Sequence, residues 1–125
     1  MKKILAIALA VLMLLGMVAC TEGNGGSGES DTKISVFWYD ESDVFLGSVR
    51  DALNTELENL GIAYDNLYAT NNQSTQLDQI KTAIAGGTDL LVVNQVTSGA
   101  ADTAEDILEA AGDIPVLFFN RAIGT

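Results

Sequence analysis

Ile34-Ser-Val-Phe-Trp-Tyr-Asp-Glu-Ser-Asp-Val-Phe45 is the stretch that decides the fold of this 125-residue chain. Its first six residues are apolar except for Ser35, and they are rich in β-branched and aromatic side chains. Such a run is typical of a parallel strand that is buried on both faces. Residues 40–43 are polar and form a predicted turn, in which Ser42 or Asp43 is suited to cap a helix. The stretch therefore predicts a central strand, a turn and the start of a helix.

Three further strands are predicted downstream, at residues 62–68, 89–94 and 116–120. The first of these is interrupted by Asp65 and Asn66, which favours a position near the edge of the sheet. The second is the clearest buried strand, because four apolar residues follow one another without a break.

Helical periodicity fills the intervals between the strands. Gly61 ends the first helix, residues 73–85 form a second, and Thr97 or Ser98 is expected to cap a third. The first helix carries apolar residues at three- or four-residue spacing, namely Phe45, Val49, Leu53, Leu57 and Leu60. The order β-α-β-α-β-α-β predicts an α/β fold, in which an open parallel sheet has helices on both faces and right-handed crossovers.

Residues 1–19 have the parts of a secretory signal peptide. Lys2 and Lys3 are followed by a 15-residue apolar run at 4–18 and by the small residue Ala19. The run is shorter than the roughly 20 residues that a membrane-spanning helix needs, so a transmembrane anchor is the weaker alternative.

Cys20 is the only cysteine in the chain, which excludes an intrachain disulfide. Met17-Val-Ala-Cys20 resembles the lipobox of bacterial lipoproteins, in which the cysteine is lipidated and becomes the mature N-terminus. The alternative is an unmodified thiol. Residues 21–32 contain no apolar side chain, so we expect residues 20–33 to comprise a lipidated Cys20 and a flexible linker.

The charge of the chain is strongly acidic. The formal net charge is −11, and without Lys2 and Lys3 the rest carries 17 acids against four bases. Such a surface argues against nucleic-acid binding, which needs a basic footprint. It also argues against electrostatic docking on anionic lipid. Solubility is the simplest explanation of the charge.

Polar side chains follow three of the predicted strands. Tyr39, Asn94 and Asn120 stand at strand ends, and Asp43 and Phe45 begin the helix after the first strand. The carboxyl ends of parallel strands meet at one edge of the sheet, where ligands bind in open α/β folds. Carboxylate, amide and aromatic groups together suit a neutral polyhydroxylated ligand. The alternatives are a capping role for Asp43, a core position for Phe45 and turn roles for the two asparagines.

Several kinds of chemistry are excluded or disfavoured. The chain has no His, which excludes a His-based triad or metal site within it. The first strand-helix turn lacks Gly-x-Gly-x-x-Gly, and no P-loop is present. Asp40, Glu41 and Asp43 are crowded in one turn without a Ca²⁺-loop pattern, so solvated or capping roles are favoured over a metal cluster. We therefore predict that the protein is not an enzyme.

The folded part resembles the sugar-binding lipoproteins of bacterial ABC transporters, which have the type I periplasmic-binding-protein fold. The first stretch is most similar to the galactose/glucose-binding (methyl-galactoside) group. The other matching stretches are Asn71-Asn-Gln-Ser-Thr-Gln-Leu-Asp-Gln-Ile80, Leu91-Val-Val-Asn-Gln-Val96 and Pro115-Val-Leu-Phe-Phe-Asn-Arg121.

The resemblance implies sugar-binding roles for four residues. Tyr39 would line the cleft, Asp43 would hydrogen-bond a sugar hydroxyl, Phe45 would stack on the pyranose ring, and Asn94 would bind ring hydroxyls. Asn120 and Arg121 match a motif at the crossing into a second lobe, and no ligand contact is expected of them.

The family's architecture implies that residues 34–125 are a partial N-terminal lobe, so that the chain is a fragment. The second lobe would carry the remaining sugar ligands and the family's Ca²⁺ loop, and no cofactor is expected in this chain. The implied function is extracytoplasmic capture of a hexose, galactose or glucose, by a lipid-anchored protein that delivers it to an ABC permease. The alternatives are a sugar or autoinducer sensor that signals to a chemoreceptor or sensor kinase, and a doubly wound α/β enzyme.

Overall fold

The computed structural model describes residues 30–124, so the predicted signal peptide, Cys20 and most of the predicted linker lie outside the described residues. Within that span four strands alternate with three helices, as predicted. The strands are β1 (Ser30–Trp38), β2 (Ile62–Tyr68), β3 (Leu90–Val93) and β4 (Val116–Phe118). The helices are α1 (Val44–Asn59), α2 (Gln73–Ala85) and α3 (Ala101–Ala111). No helix within this part of the chain is long and apolar enough to cross a membrane.

The strands form one parallel sheet in the order β2-β1-β3-β4. β1 is central, as predicted, and pairs Ile34 with both Tyr64 of β2 and Leu90 of β3. β2 lies at one edge of the sheet, which agrees with its polar interruptions. The predicted α/β fold with an open parallel sheet is confirmed.

Alternate residues of β1 are buried on opposite faces of the sheet, as strand geometry requires. Val36 and Trp38 pack against Leu46 and Leu57 of α1 on one face. Phe37 packs against the buried side chains of α2 and α3 on the other face, chiefly Ile80, Ile107 and Ala111. Both faces of β1 are therefore covered by helix, which explains why its apolar run is almost continuous.

The first strand begins four residues earlier than predicted. β1 starts at Ser30 and not at Ile34, so the last residues of the predicted linker belong to the sheet. The earlier start is explained by contacts with neighbouring parts of the chain and not by the local composition. Ser30 pairs with Ile62 across an irregularity in the register, and the Lys33 N–H donates to the Asp89 carboxylate at 2.8 Å.

The predicted caps are partly confirmed. Asp43, one of the two candidates, caps α1, and its carboxylate accepts a hydrogen bond from the Leu46 N–H. The prediction that Thr97 or Ser98 caps α3 is wrong, because α3 begins after Ala100 and has no side-chain cap. Gly99, at φ 77°, turns the chain between those residues and the helix.

Candidate functional site

The candidate site lies where the chain order along the sheet reverses. From β1 the chain passes to β2 on one side, and it then returns across β1 to β3 on the other side. The loops that leave the carboxyl ends of β1 and β3 therefore diverge and open a crevice, the usual ligand position in open α/β sheets. Tyr39 follows β1 and Asn94 follows β3, so the topology brings the predicted site residues to this crevice.

Asp43 combines two structural roles at the mouth of the crevice. One carboxylate oxygen, Oδ1, accepts from the Leu46 N–H at 3.0 Å, and the other, Oδ2, accepts from the Tyr39 hydroxyl at 2.7 Å. The pKa of Asp43 is held below its ordinary value by the Leu46 N–H first and by the Tyr39 hydroxyl second. An ionised carboxylate offers about four acceptor positions, and the Leu46 N–H, the Phe45 N–H and the Tyr39 hydroxyl are directed at it, so some acceptor capacity remains for a ligand. Asp43 therefore caps the helix and still has hydrogen-bond acceptor capacity for a ligand.

Tyr39 is half-buried between Asp43 and Arg121. Its hydroxyl donates to Asp43, and this hydrogen bond is the main reason that the pKa of Tyr39 is raised. The guanidinium carbon of Arg121 lies 3.5 Å from the centroid of the Tyr39 ring. The phenol is thus fixed at its hydroxyl and covered on one ring face.

Phe45 stands in the first turn of α1 with 66% of its surface exposed. Its neighbour Leu46 turns into the core instead and is 2% exposed. The alternative that Phe45 belongs to the core is wrong. An aromatic side chain that remains exposed beside a charged acceptor is available for contact with a ligand.

Asn94 lies beneath the crevice and not on its surface. The side chain is fully buried; its Nδ2 donates to the Phe119 carbonyl at 3.2 Å, and its Oδ1 accepts from the Tyr39 N–H at 3.4 Å. These bonds tie the ends of β1, β3 and β4 together. Direct contact between Asn94 and a ligand stays a prediction, because the structure shows the amide engaged with the backbone.

The other acids of the first turn have local roles. Asp40 accepts from the Ser42 N–H at 2.7 Å and from the side-chain amide of Asn71. The Ser42 hydroxyl is the largest cause of the lowered pKa of Asp40. Among the described residues no group of three potential metal-ligating side chains converges. Asn120 has φ 63°, which confirms its turn role.

Sequence reasoning missed a row of glutamines on α2. Gln73, Gln76 and Gln79 lie three residues apart, a spacing that places them along one helix face. Gln76 is fully buried; its Nε2 donates to the Asn94 carbonyl at 2.9 Å, and its Oε1 accepts from the Val96 N–H at 3.3 Å. The Gln79 Nε2 donates to the Tyr68 carbonyl at 2.9 Å. The row holds the strand ends in place. Its three-residue spacing is visible in the sequence, but apolar periodicity does not reveal it.

Comparison with known proteins agrees with this architecture. A family model described as "Periplasmic binding protein domain" matches residues 34–125. The chain is 30% identical to the xylitol-binding protein of Mycolicibacterium smegmatis, with 98% of this chain and 35% of the relative covered. It is 32% identical to the D-galactose/methyl-galactoside binding periplasmic protein MglB of Haemophilus influenzae, with 92% and 35% covered. The chain thus spans about a third of the length of the curated relatives it matches.

A solved structure supports the same family assignment. The Caulobacter myo-inositol binding protein bound to myo-inositol superposes with a TM-score of 0.65 and 28% identity, covering 82% of this chain and 34% of that one. All three proteins are named for binding and none for a reaction, which agrees with the prediction that this protein is not an enzyme.

Proposed function

The chain belongs to the periplasmic binding protein domain family, and on that premise we propose that it supplies part of the sugar site of an extracytoplasmic solute-binding lipoprotein. The ligand is a hexose, galactose or glucose, captured for an ABC transporter. Tyr39, Asp43 and Phe45 form the contact surface on this chain, and Asn94 supports it from below. Contact of Asn94 with ring hydroxyls belongs to the same proposal.

One observation carries the proposal: a hydrogen-bonded carboxylate stands two residues before a largely exposed aromatic ring. Asp43 is oriented by Leu46 and Tyr39 and keeps acceptor positions free. Phe45 is 66% exposed beside it. Adjacent hydroxyls of a sugar donate well to a carboxylate, while the C–H face of the ring packs on an aromatic surface. The three relatives, named for xylitol, galactose or its methyl glycoside, and myo-inositol, bind ligands that share vicinal hydroxyls.

Calorimetric titration of the full-length protein against a sugar panel tests the proposal. Galactose and glucose are expected to give saturable heat at one site, with xylitol and myo-inositol as comparison ligands. The absence of heat with every hexose would refute the galactose/glucose assignment. Heat with a polyol alone would move the ligand class toward linear or cyclic polyols. A sensor of the same fold is the second candidate, and genes for a permease or for a receptor beside the coding sequence distinguish the two.

Phe45→Ala is expected to weaken hexose binding about 2- to 10-fold, since aromatic contacts contribute about 0.5–1.5 kcal/mol. The thermal midpoint should hardly change, because exposed substitutions stay within about 0.5 kcal/mol. Val44→Ala is the matched control, because Val44 is 87% exposed one residue earlier. A loss of affinity equal to that of the Val44 control would remove Phe45 from the site.

Lipidation of Cys20 places the protein at the outer side of the membrane in this proposal. It is supported by the succession of signal-peptide features, Ala19 and Cys20 in the sequence. Metabolic labelling with a fatty-acid probe is expected to mark the wild-type protein and not Cys20→Ser. Equal labelling of both proteins would show that the cysteine is not the lipid attachment point.

A further inference from the structure

The turn after β2, residues 69–72, holds two adjacent residues in the left-handed region of backbone space, and we refer to it as the β2 turn. Thr70 has φ 52° and Asn71 has φ 57°. This conformation is uncommon outside glycine, and for a β-branched residue such as Thr70 it is a genuine outlier. Both side chains are exposed, so burial does not compensate for the strain. Strain of this kind persists where surrounding contacts impose it, and it concentrates at functional sites.

Hydrogen bonds direct the β2 turn at the residues that begin the candidate site. The Ala69 N–H donates to the Trp38 carbonyl at 2.9 Å, which continues the pairing with β1 past the end of β2. The Asn71 N–H then donates to the Tyr39 carbonyl at 2.7 Å, and the Asn71 side-chain amide donates to Asp40. The left-handed pair thus brings the chain back to the residue that follows β1.

Tyr39 depends on this contact because it lies just past the last residue of β1. Its N–H donates to Asn94 Oδ1 at a long 3.4 Å, whereas its carbonyl accepts the short bond from Asn71. A backbone carbonyl needs a partner, and a residue held at both its N–H and its carbonyl keeps the direction of its side chain. The Tyr39 hydroxyl donates from that position to Asp43 at 2.7 Å. The Asn71 N–H therefore helps to decide where the phenol meets the carboxylate.

We infer that Asn71 is a positioning residue for the site: the left-handed β2 turn fixes the backbone of Tyr39 through the Asn71 N–H, so that the Tyr39 hydroxyl stays on Asp43. The backbone N–H carries this role, and the side-chain bond to Asp40 is dispensable for it. Asn71 then affects ligand affinity through Tyr39 and without a contact to the ligand. The identity of the ligand rests on the proposed function, whereas the position of Tyr39 is a property of the ligand-free protein.

Titration of backbone variants of the full-length protein, with the hexose that gives the strongest heat, tests the inference. Asn71→Val is expected to weaken binding about 2- to 10-fold, because a β-branched residue disfavours φ 57° and lowers the binding-competent population to between about a half and a tenth. Asn71→Gly should restore most of the affinity, since glycine adopts positive φ readily and keeps the N–H. An unchanged affinity in Asn71→Val, or an equal loss in Asn71→Gly, would overturn the inference. If Asn71→Val does not fold, the milder Asn71→Ala carries the test, with a smaller loss in the same direction.

Gly87→Val is the matched control for strain as such. Gly87 has φ 81° in the turn between α2 and β3, and an added Cβ would meet no described residue within 4 Å apart from its chain neighbours. This turn lies at the amino end of β3, the edge of the sheet away from the crevice. Gly87→Val should therefore lower the thermal midpoint while the affinity stays near that of the wild type. An affinity loss equal to that of Asn71→Val would mean that strain anywhere weakens binding, and the positioning role would fall.

A measurement on ligand-free protein separates this inference from the proposed function. The titration of the Tyr39 hydroxyl is followed in protein with ¹³C-labelled tyrosine, in which the signal lost in Tyr39→Phe identifies Tyr39. The hydrogen bond to Asp43 is the largest cause of the raised pKa of Tyr39, so Asn71→Val is expected to move that pKa toward its ordinary value, and Asn71→Gly and Gly87→Val should leave it raised. An unmoved pKa in Asn71→Val overturns the inference, whatever the sugar titrations show. A moved pKa in a protein that binds no hexose supports the inference and counts against the proposed ligand alone.

Discussion

Replacing Asp43 by Asn is expected to weaken hexose binding about 10- to 100-fold while the thermal midpoint changes little. Hydrogen bonds to a charged group contribute about 1.5–3 kcal/mol, and the neutral amide forfeits this advantage toward sugar hydroxyls. Stability should survive because asparagine caps helices as well as aspartate does. The amide oxygen can keep accepting from the Leu46 N–H, and the amide nitrogen can donate to the Tyr39 hydroxyl. Calorimetric titration and a thermal melt of the same sample measure both quantities.

Asp40→Asn is the matched control for this prediction. It removes the same charge from the same turn, but the Asp40 carboxylate is engaged by Ser42 and Asn71 and not by the site. Affinity in Asp40→Asn should therefore stay near that of the wild type. Equal losses in the two variants would mean that net charge, and not a contact from Asp43, governs binding.

The pH dependence of binding follows from the same hydrogen bonds. The pKa of Asp43 is lowered from 3.8, so above that value the carboxylate is ionised and accepts fully from a sugar hydroxyl. This contribution to binding is lost as the pH falls through the lower folded-state pKa. The pKa of Tyr39 is raised from 10.0, so below that value its hydroxyl keeps its proton and its hydrogen bond to Asp43. This contribution to the site is lost as the pH rises through the higher folded-state pKa. Hexose affinity should therefore be constant between about pH 5 and pH 9. A step near neutral pH would require a titrating group outside this pair.

Gln76→Leu is expected to lower the free energy of unfolding by about 2–4 kcal/mol. Leucine fills a similar volume but leaves the Asn94 carbonyl and the Val96 N–H without their partner, and each buried unpaired group costs about 1–3 kcal/mol. Urea unfolding followed by circular dichroism measures the change. The unchanged m value expected of a purely stability effect is part of the same measurement.

Gln79→Leu is the control for the buried glutamine. Gln79 occupies the next position of the same row, is half-buried, and makes one hydrogen bond to the Tyr68 carbonyl, while its Oε1 has no partner. Gln79→Leu should therefore lower the free energy of unfolding by only about 1 kcal/mol. If the two variants lose the same free energy, the bonds of Gln76 to the end of β3 carry no special weight.

The alternation of strand and helix could be predicted from the sequence because it depends on local periodicity. The apolar run before Asp40 and the helical spacing after Val44 each reflect burial on defined faces. Gly61 ended its helix as expected because its φ of 65° suits glycine far better than other residues. These signals lie within a few residues of the features that they predict.

The parts that could not be predicted depend on residues distant in the chain. Asn94 was predicted to offer its amide to a ligand at a strand end, but its Nδ2 donates to the carbonyl of Phe119, 25 residues later. Arg121 matched a connecting motif, and nothing in the local sequence indicates that it stacks on Tyr39. The start of β1 depended on its pairing with β2. Such contacts are tertiary, and neither composition nor spacing encodes them.

The parallel pairing of β1 also bears on how the protein reaches its destination. β1 is synthesised before the strands that it pairs with. Ile34 can pair with Tyr64, and then with Leu90, only after those later residues have been made. Non-local pairing of this kind slows folding, since loop-closure entropy is lost before the contacts form. For a chain exported by the predicted signal peptide, we expect slow folding to be an advantage, because an unfolded chain stays competent for translocation until its later strands have crossed.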